Sequence, residues 1–223
     1  ELLPVARVNG ITSAIVAPQG GLIAGTSALI HLDGWTWEDM TVRAPLALYV
    51  NWPGKPGFSP WGGGRPPGID ADKATKERAE RAQKIKDAFA DARAYLKARE
   101  AAGRPGVPRL DFEPKWEAMI PALKGQVPVV VAARWAEDIK DVVEWADKEG
   151  LRLILQGADD AEPVLALLKE KQVPILLDAV FDFPPRRHLA YDTAYSLAGR
   201  LNAAGVPFAF SMSNDASNSR NLP

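Results

Sequence analysis

Val127-Pro128-Val129-Val130-Val131-Ala132-Ala133 is an apolar run that starts on a Val-Pro pair. The same start recurs in Val173-Pro174-Ile175-Leu176-Leu177-Asp178 and in Val206-Pro207-Phe208-Ala209-Phe210-Ser211. Each run is too short for a helix and follows a helix-like stretch. Each ends in small or polar residues, as a strand does. Proline is permitted at the first strand position, where the N–H it lacks is not yet needed. Unbroken apolar runs, rather than alternating ones, mark strands covered on both faces, as in a parallel sheet.

Working outward, the chain alternates. Residues 136–148 read as a helix stopping before Gly150, 151–155 as a strand and 159–171 as a helix. A further helix at 191–204 stops before Gly205, the residue type favoured just past a helix end. Residues 72–101 carry the clearest helical period, with Ala82, Ile85, Phe89, Ala92 and Leu96 three and four apart. A shorter helix over 115–123 is broken by Pro121. Residues 11–17, 27–32 and 44–50 add strand candidates, with a glycine-rich turn over 18–26 and another turn at Asp33-Gly34. About seven strands alternating with helices predict an α/β chain with a TIM-barrel-like (β/α)8 fold, its first strand missing, as one domain over 1–223. An open, doubly wound parallel sheet is the second choice. Residues 51–70, dense in Pro, Gly and Trp, read as a long loop, either packed on the surface or touching a ligand.

Composition narrows the class. Apolar residues make up 47%, charged residues 25%, and the net charge is −1. These values fit an ordinary globular chain and speak against disorder, nucleic-acid binding or attraction to an anionic membrane. No apolar run approaches the roughly 18 residues needed to span a bilayer. Cysteine is absent, which removes disulfides, thiolate ligands and a cysteine nucleophile. The chain opens without Met, inside a helix-like stretch over 2–8, and reads as a piece of a longer protein. The compartment therefore stays undetermined.

In a parallel barrel, chemistry gathers beyond the C-terminal ends of the strands. Those positions supply Gln19, Gly20 and Gly21, then Asn51, Arg134, Gln156, Asp178, and the Ser211–Asp215 cluster. Asp178 is placed either to exchange a proton and hydrogen-bond a ligand, or to cap its loop. Asp215 sits in the most polar cluster of the chain, with a simple turn as the alternative. Gln19-Gly20-Gly21 can bring backbone N–H groups near an anion, but a tight turn explains it without a ligand. Neither a dinucleotide fingerprint, a phosphate-binding P-loop nor a Gly-x-Ser-x-Gly elbow is present. His31 and His188 are scattered, short of the three or four convergent ligands that zinc takes. Asp33 and Asp39 read as caps.

Ala6-Arg7-Val8-Asn9-Gly10-Ile11-Thr12, Pro18-Gln19-Gly20-Gly21-Leu22-Ile23-Ala24-Gly25 and Gly34-Trp35-Thr36-Trp37-Glu38-Asp39-Met40 resemble the imidazolonepropionase-like branch of the amidohydrolase superfamily. So do Val127–Val131 followed by Ala136-Glu137-Asp138-Ile139, and Ala204–Ser211 with Arg220-Asn221-Leu222-Pro223. The resemblance implies a metal-dependent barrel that hydrolyses C–N bonds in cyclic amides, amidines or peptide-like substrates. It implies ligands from a His-x-His pair on the first strand, histidines after the fifth and sixth, and an aspartate after the eighth. Here the fifth-strand position is Ala132 and the sixth falls at Gln156-Gly157; Asp215 alone matches the aspartate. The expectation is an amidohydrolase-like domain inactive as this chain, with no metal ligand of its own and zinc only if upstream residues hold it. The alternative is a degenerate barrel that binds a small molecule or a protein partner. Exposed sheet edges predict self-association or cover by the 51–70 loop.

Overall fold

The computed structural model describes residues 2–54, 71–102, 104, 105, 110–178, 184, 186 and 188–211. Among the described residues nine strands are formed: β1 Ser13–Val16, β2 Ile23–Thr26, β3 Ala28–His31, β4 Thr41–Arg43, β5 Leu48–Asn51, β6 Val129–Ala133, β7 Leu153–Gly157, β8 Ile175–Leu177 and β9 Phe208–Phe210. The helices are α1 Leu2–Val8, α2 Trp37–Met40, α3 Ala71–Ala101, α4 Pro114–Glu117, α5 Ile120–Leu123, α6 Ala136–Glu149, α7 Leu165–Glu170 and α8 Thr193–Ala204. None of them is long and apolar enough to cross a membrane.

The Val-Pro pairs do what proline chemistry allows. Each proline lacks a donor but keeps its carbonyl, and that carbonyl starts a ladder. Leu48 N–H donates to Pro128 O, Leu155 N–H to Pro174 O and Ile175 N–H to Pro207 O, each at 3.0 Å. The ladder continues in parallel across β5-β6-β7-β8-β9, in chain order throughout. A doubly wound sheet reverses its strand order part-way. This sheet never does, which is the progression of a barrel wall.

Two N-terminal segments depart from expectation. The runs over 11–17 and 27–32 do not join the parallel sheet. They pair antiparallel as β1 with β3, and β3 with β4, in a separate three-stranded sheet. Joining strands in parallel takes a crossover of a dozen or more residues, usually helical, and no helix separates β1 from β3. Ile23–Thr26, inside the expected turn, is the sixth strand of the main sheet, antiparallel to β5. Gly25, at φ 125°, sits at the register shift in that pairing. The expected helix over 115–123 divides at Ala118-Met119. Pro121 lies in the first turn of α5, where its missing N–H costs nothing. The expected helix over 159–171 is a 3₁₀ turn, Glu162–Val164, leading into α7.

Alternation within the strands separates two faces. Leu48, Val50, Val129, Val131, Ala133, Leu155, Ile175 and Leu177 are buried in one core with Ile85 and Phe89 of α3, Ile139 and Val142 of α6, Leu168 of α7, and Leu197 and Leu201 of α8. On the opposite face Tyr49, Asn51, Ala132, Ile154, Gln156 and Leu176 are half-buried. The aromatic joint of the core is Trp145 on α6. Phe89 meets it edge-on at 4.9 Å, and Trp52 lies tilted against it at 5.4 Å. Trp52 begins the expected 51–70 loop and is packed; residues 55–70 lie outside the described residues. α3 grips α6 at both ends. Arg78 pairs with buried Asp138 in its first turn, and Arg93 donates to the Glu149 carboxylate at 2.8 Å in its last. Asp138 at the N-terminus of α6 suits its dipole, and at the C-terminus Arg93 of α3 brings a cation to the Glu149 carboxylate and to the Glu149 carbonyl. Gly150 and Gly205 close α6 and α8 in the left-handed conformation, φ 65° and 77°.

Phe89 is fully buried and holds the α3–α6 joint. Phe89→Ala is expected to cost about 3–5 kcal/mol in urea unfolding, because the edge contact to Trp145 goes with the buried ring.

Candidate functional site

The half-exposed face carries a row of residues fixed by strand register. Asn51 of β5 pairs with Ala132 of β6, Ala132 with Gln156 of β7, and Gln156 with Leu176 of β8. The row stands at the C-terminal ends of the parallel strands. Asp178 follows two residues beyond Leu176, on the same side. Gln156 Nε2 donates to Asp178 Oδ1 at 3.3 Å, linking β7 to the exit of β8. At the other end of the row, Asn51 Nδ2 donates to Gly21 O at 2.9 Å and Gly20 O at 3.5 Å. The Gln19-Gly20-Gly21 turn thus offers carbonyl oxygens to the strand end, and Gln19 itself is exposed. Its glycines hold φ of 87° and 68°, which explains the residue type there without a ligand.

Tyr49, two residues before Asn51, belongs to this face and was not singled out from sequence. Burial pushes its hydroxyl above the ordinary tyrosine value. The negative charge of Asp178 pushes it the same way, while a hydrogen bond with Ser27 works against them. Tyr49, Gln156 and Asp178 therefore form one polar cluster on this face. The reason sequence missed Tyr49 is plain: a lone tyrosine between Leu48 and Val50 reads as strand filling.

Arg134 stands just past β6, largely exposed, with its Nε 2.5 Å from Asp159 Oδ2. Gly157 lies beneath it; a Cβ there would stand 3.6 Å from Arg134 Cγ. His31 lies in the separate small sheet, with Nδ1 3.0 Å from Ser13 Oγ, and His188 is exposed on the approach to α8. Asp33 pairs with Arg7 at 2.5 Å, and Thr36 rather than an aspartate caps α2. Asp215 lies outside the described residues.

Above the row, one guanidinium ties three strand-to-helix connections together. Arg186, between β8 and α8, donates from Nε and Nη2 to Asp160 Oδ2 at 2.9 and 2.6 Å. Its Nη2 also reaches Glu137 Oε2 at 3.1 Å, and its plane lies 5.8 Å from the Trp135 ring. These carboxylates raise the Arg186 value further, Asp160 most, so it stays charged. Asp160 is almost fully buried, and its Oδ2 also accepts the Ala136 N–H at 3.2 Å. α6 begins on Trp135, which has no capping oxygen, so the neighbouring connection supplies one. In sequence Asp159-Asp160 reads as the start of its own helix; nothing local says that Asp160 serves the helix before it.

Among the described residues no three His, Asp or Glu side chains converge to hold a metal ion. The donor chemistry of the row agrees: Ala132 has no ligating atom, and the Gln156 amide nitrogen is turned to Asp178. The described residues do not fit a zinc site of the kind the resemblance implies.

No model of a known protein family matches the chain, and no curated protein matches it. Among solved structures it is similar to the crystal structure of an amidohydrolase from Thermotoga maritima MSB8, with a TM-score of 0.77 and 20% identity over 98% of this chain. The fold is the TIM-barrel-like fold of that amidohydrolase. The chain spans 55% of the length of that structure.

Two measurements check this geometry. Asp160→Ala strands the Ala136 N–H and leaves Arg186 with Glu137 as its carboxylate partner, and is expected to lower stability by about 1–3 kcal/mol in chemical denaturation. The Tyr49 value is raised on folding, so its contribution to stability is complete below the unfolded tyrosine value and is lost as pH rises past it. Stability should therefore fall above about pH 10, the ordinary tyrosine value, and Tyr49→Phe should flatten that fall.

Proposed function

We propose that this chain is part of an amidohydrolase-superfamily barrel, of the imidazolonepropionase-like branch, and that its strand-end face binds a small molecule of the cyclic amide or amidine class. The carrying observation is the Gln156–Asp178 pair, aligned with Asn51 and Tyr49 on the face of the sheet opposite the buried core. An amide or amidine presents N–H donors and a carbonyl or imine side by side. Asp178 offers acceptor oxygens, and Gln156 fixes the carboxylate through Oδ1. Apolar Ile154 and Leu176 flank the pair and suit the ring of such a ligand.

Binding without hydrolysis by this chain is the reading that the donor set favours. Hydrolysis of a C–N bond on this plan needs a held metal to activate water, and Ala132 stands where a ligand would be. Asp215 is the proposed remnant of the metal-side carboxylate. Zinc-dependent hydrolysis remains the second reading, favoured by the likeness to an amidohydrolase; its ligands would come from elsewhere in a longer chain.

Calorimetric titration with hydantoin, a cyclic amidine and dipeptides tests the first reading. Asp178→Asn and Gln156→Leu are each expected to weaken binding at least tenfold, about 1.4 kcal/mol, with unfolding midpoints little changed. Equal affinity in wild type and Asp178→Asn would sink it. About one zinc per chain by elemental analysis, together with turnover of any of these compounds, would favour the second reading.

A further inference from the structure

The Val-Pro pairs have a second consequence, at the opposite end of the sheet from the proposed site. Pro128 and Pro174 start β6 and β8, on either side of β7, and both line a groove of about 370 Å³. That size lies within the range of small-molecule sites. Proline brings no N–H to the surface, so two of them make a floor with few donors. Leu153, Val173 and Val143 continue it as an apolar wall. The polar lining is Arg152, Asp147, Lys171 and Gln172.

Their charges do not cancel. Lys171 Nζ lies 2.8 Å from Asp147 Oδ2, and this hydrogen bond, then the charge behind it, holds the amine above its ordinary value. Arg152 spends Nη1 on Gly125 O at 3.3 Å, a neutral partner. A guanidinium has five N–H donors, and one contact of this kind leaves most of its fork. Gln172 holds φ 51°, a left-handed conformation unusual for a residue with a side chain. This turn sets Lys171 and Gln172 beside the groove. The groove thus joins an apolar floor to a net positive rim.

We propose that this groove is a second binding site, for a small molecule with an apolar body and one carboxylate, the carboxylate held by Arg152 with Lys171 beside it. An arginine fork matches a carboxylate in geometry as well as charge. The groove lies at the other end of the strands from Gln156 and Asp178, with Ile154 bordering both.

Titration calorimetry of the whole chain with octanoate and with octanamide, its uncharged analogue, tests the assignment. Octanoate should bind at least tenfold more tightly than octanamide. Arg152→Gln, a change at an exposed position, should reduce that preference to less than threefold. Leu151→Trp, which fills the groove from its edge, should weaken both compounds at least tenfold. Asp178→Asn, at the far end of the strands, should change neither, so failure at one site is told apart from failure at the other. No octanoate binding, equal affinity for the two compounds, or unchanged octanoate affinity in Arg152→Gln would overturn the proposal.

Discussion

A parallel ladder has to start somewhere, and its first rung needs an acceptor before it needs a donor. Pro128, Pro174 and Pro207 meet that asymmetry: each carbonyl is taken by a neighbouring strand while no N–H is left over. The rest of the structure follows from this start. Once β5 to β9 run side by side in chain order, the connecting helices lie on one face. Alternation then sends Val129, Val131 and Ala133 to the helices, and Val130 and Ala132 to the other side. The site is a product of register before it is a product of residue type. Asn51, Ala132 and Gln156 share a row only because the three strands start level.

The ends of α6 show how the second layer is locked. A helix start buried against a sheet leaves N–H groups that water cannot reach. Trp135 offers no oxygen for them, and Asp160 from the next connection does. Burying that carboxylate is costly by itself, and Arg186 offsets the cost through two donors on one oxygen. Asp138 meets the same problem on the other flank and takes Arg78 from α3. The connections above the row are thus held by charge pairs.

The main sheet was legible because its signals are local. Val-Pro starts, apolar runs of strand length and glycine after helices place β6 to β9, α6 and α8 within a residue or two. The N-terminal third was not, because its pairing depends on partners distant in sequence. Gly20, Gly21 and Gly25 read as a turn, yet Ile23–Thr26 is a strand because β5 offers it an edge, with Asn51 N–H donating to Leu22 O at 2.8 Å. The candidate site divides the same way. Gln156 and Asp178 follow from strand ends, while Tyr49, Asp160 and Arg186 matter through contacts that no spacing encodes.

Ala132 is the most informative residue of the row, because it separates architecture from chemistry. Its neighbours in register are amides, Asn51 and Gln156, and each amide nitrogen is turned to oxygen within the protein. Such a row keeps polar groups at the strand ends. A single methyl group at Ala132 stands in the middle of it, between two groups that are each oriented by a hydrogen bond. A metal site needs convergent ligands at that point; a site for a flat polar ring needs a gap flanked by fixed hydrogen-bonding groups. The TIM-barrel-like fold obliges neither, because residues at strand ends can change without disturbing the ladder beneath them.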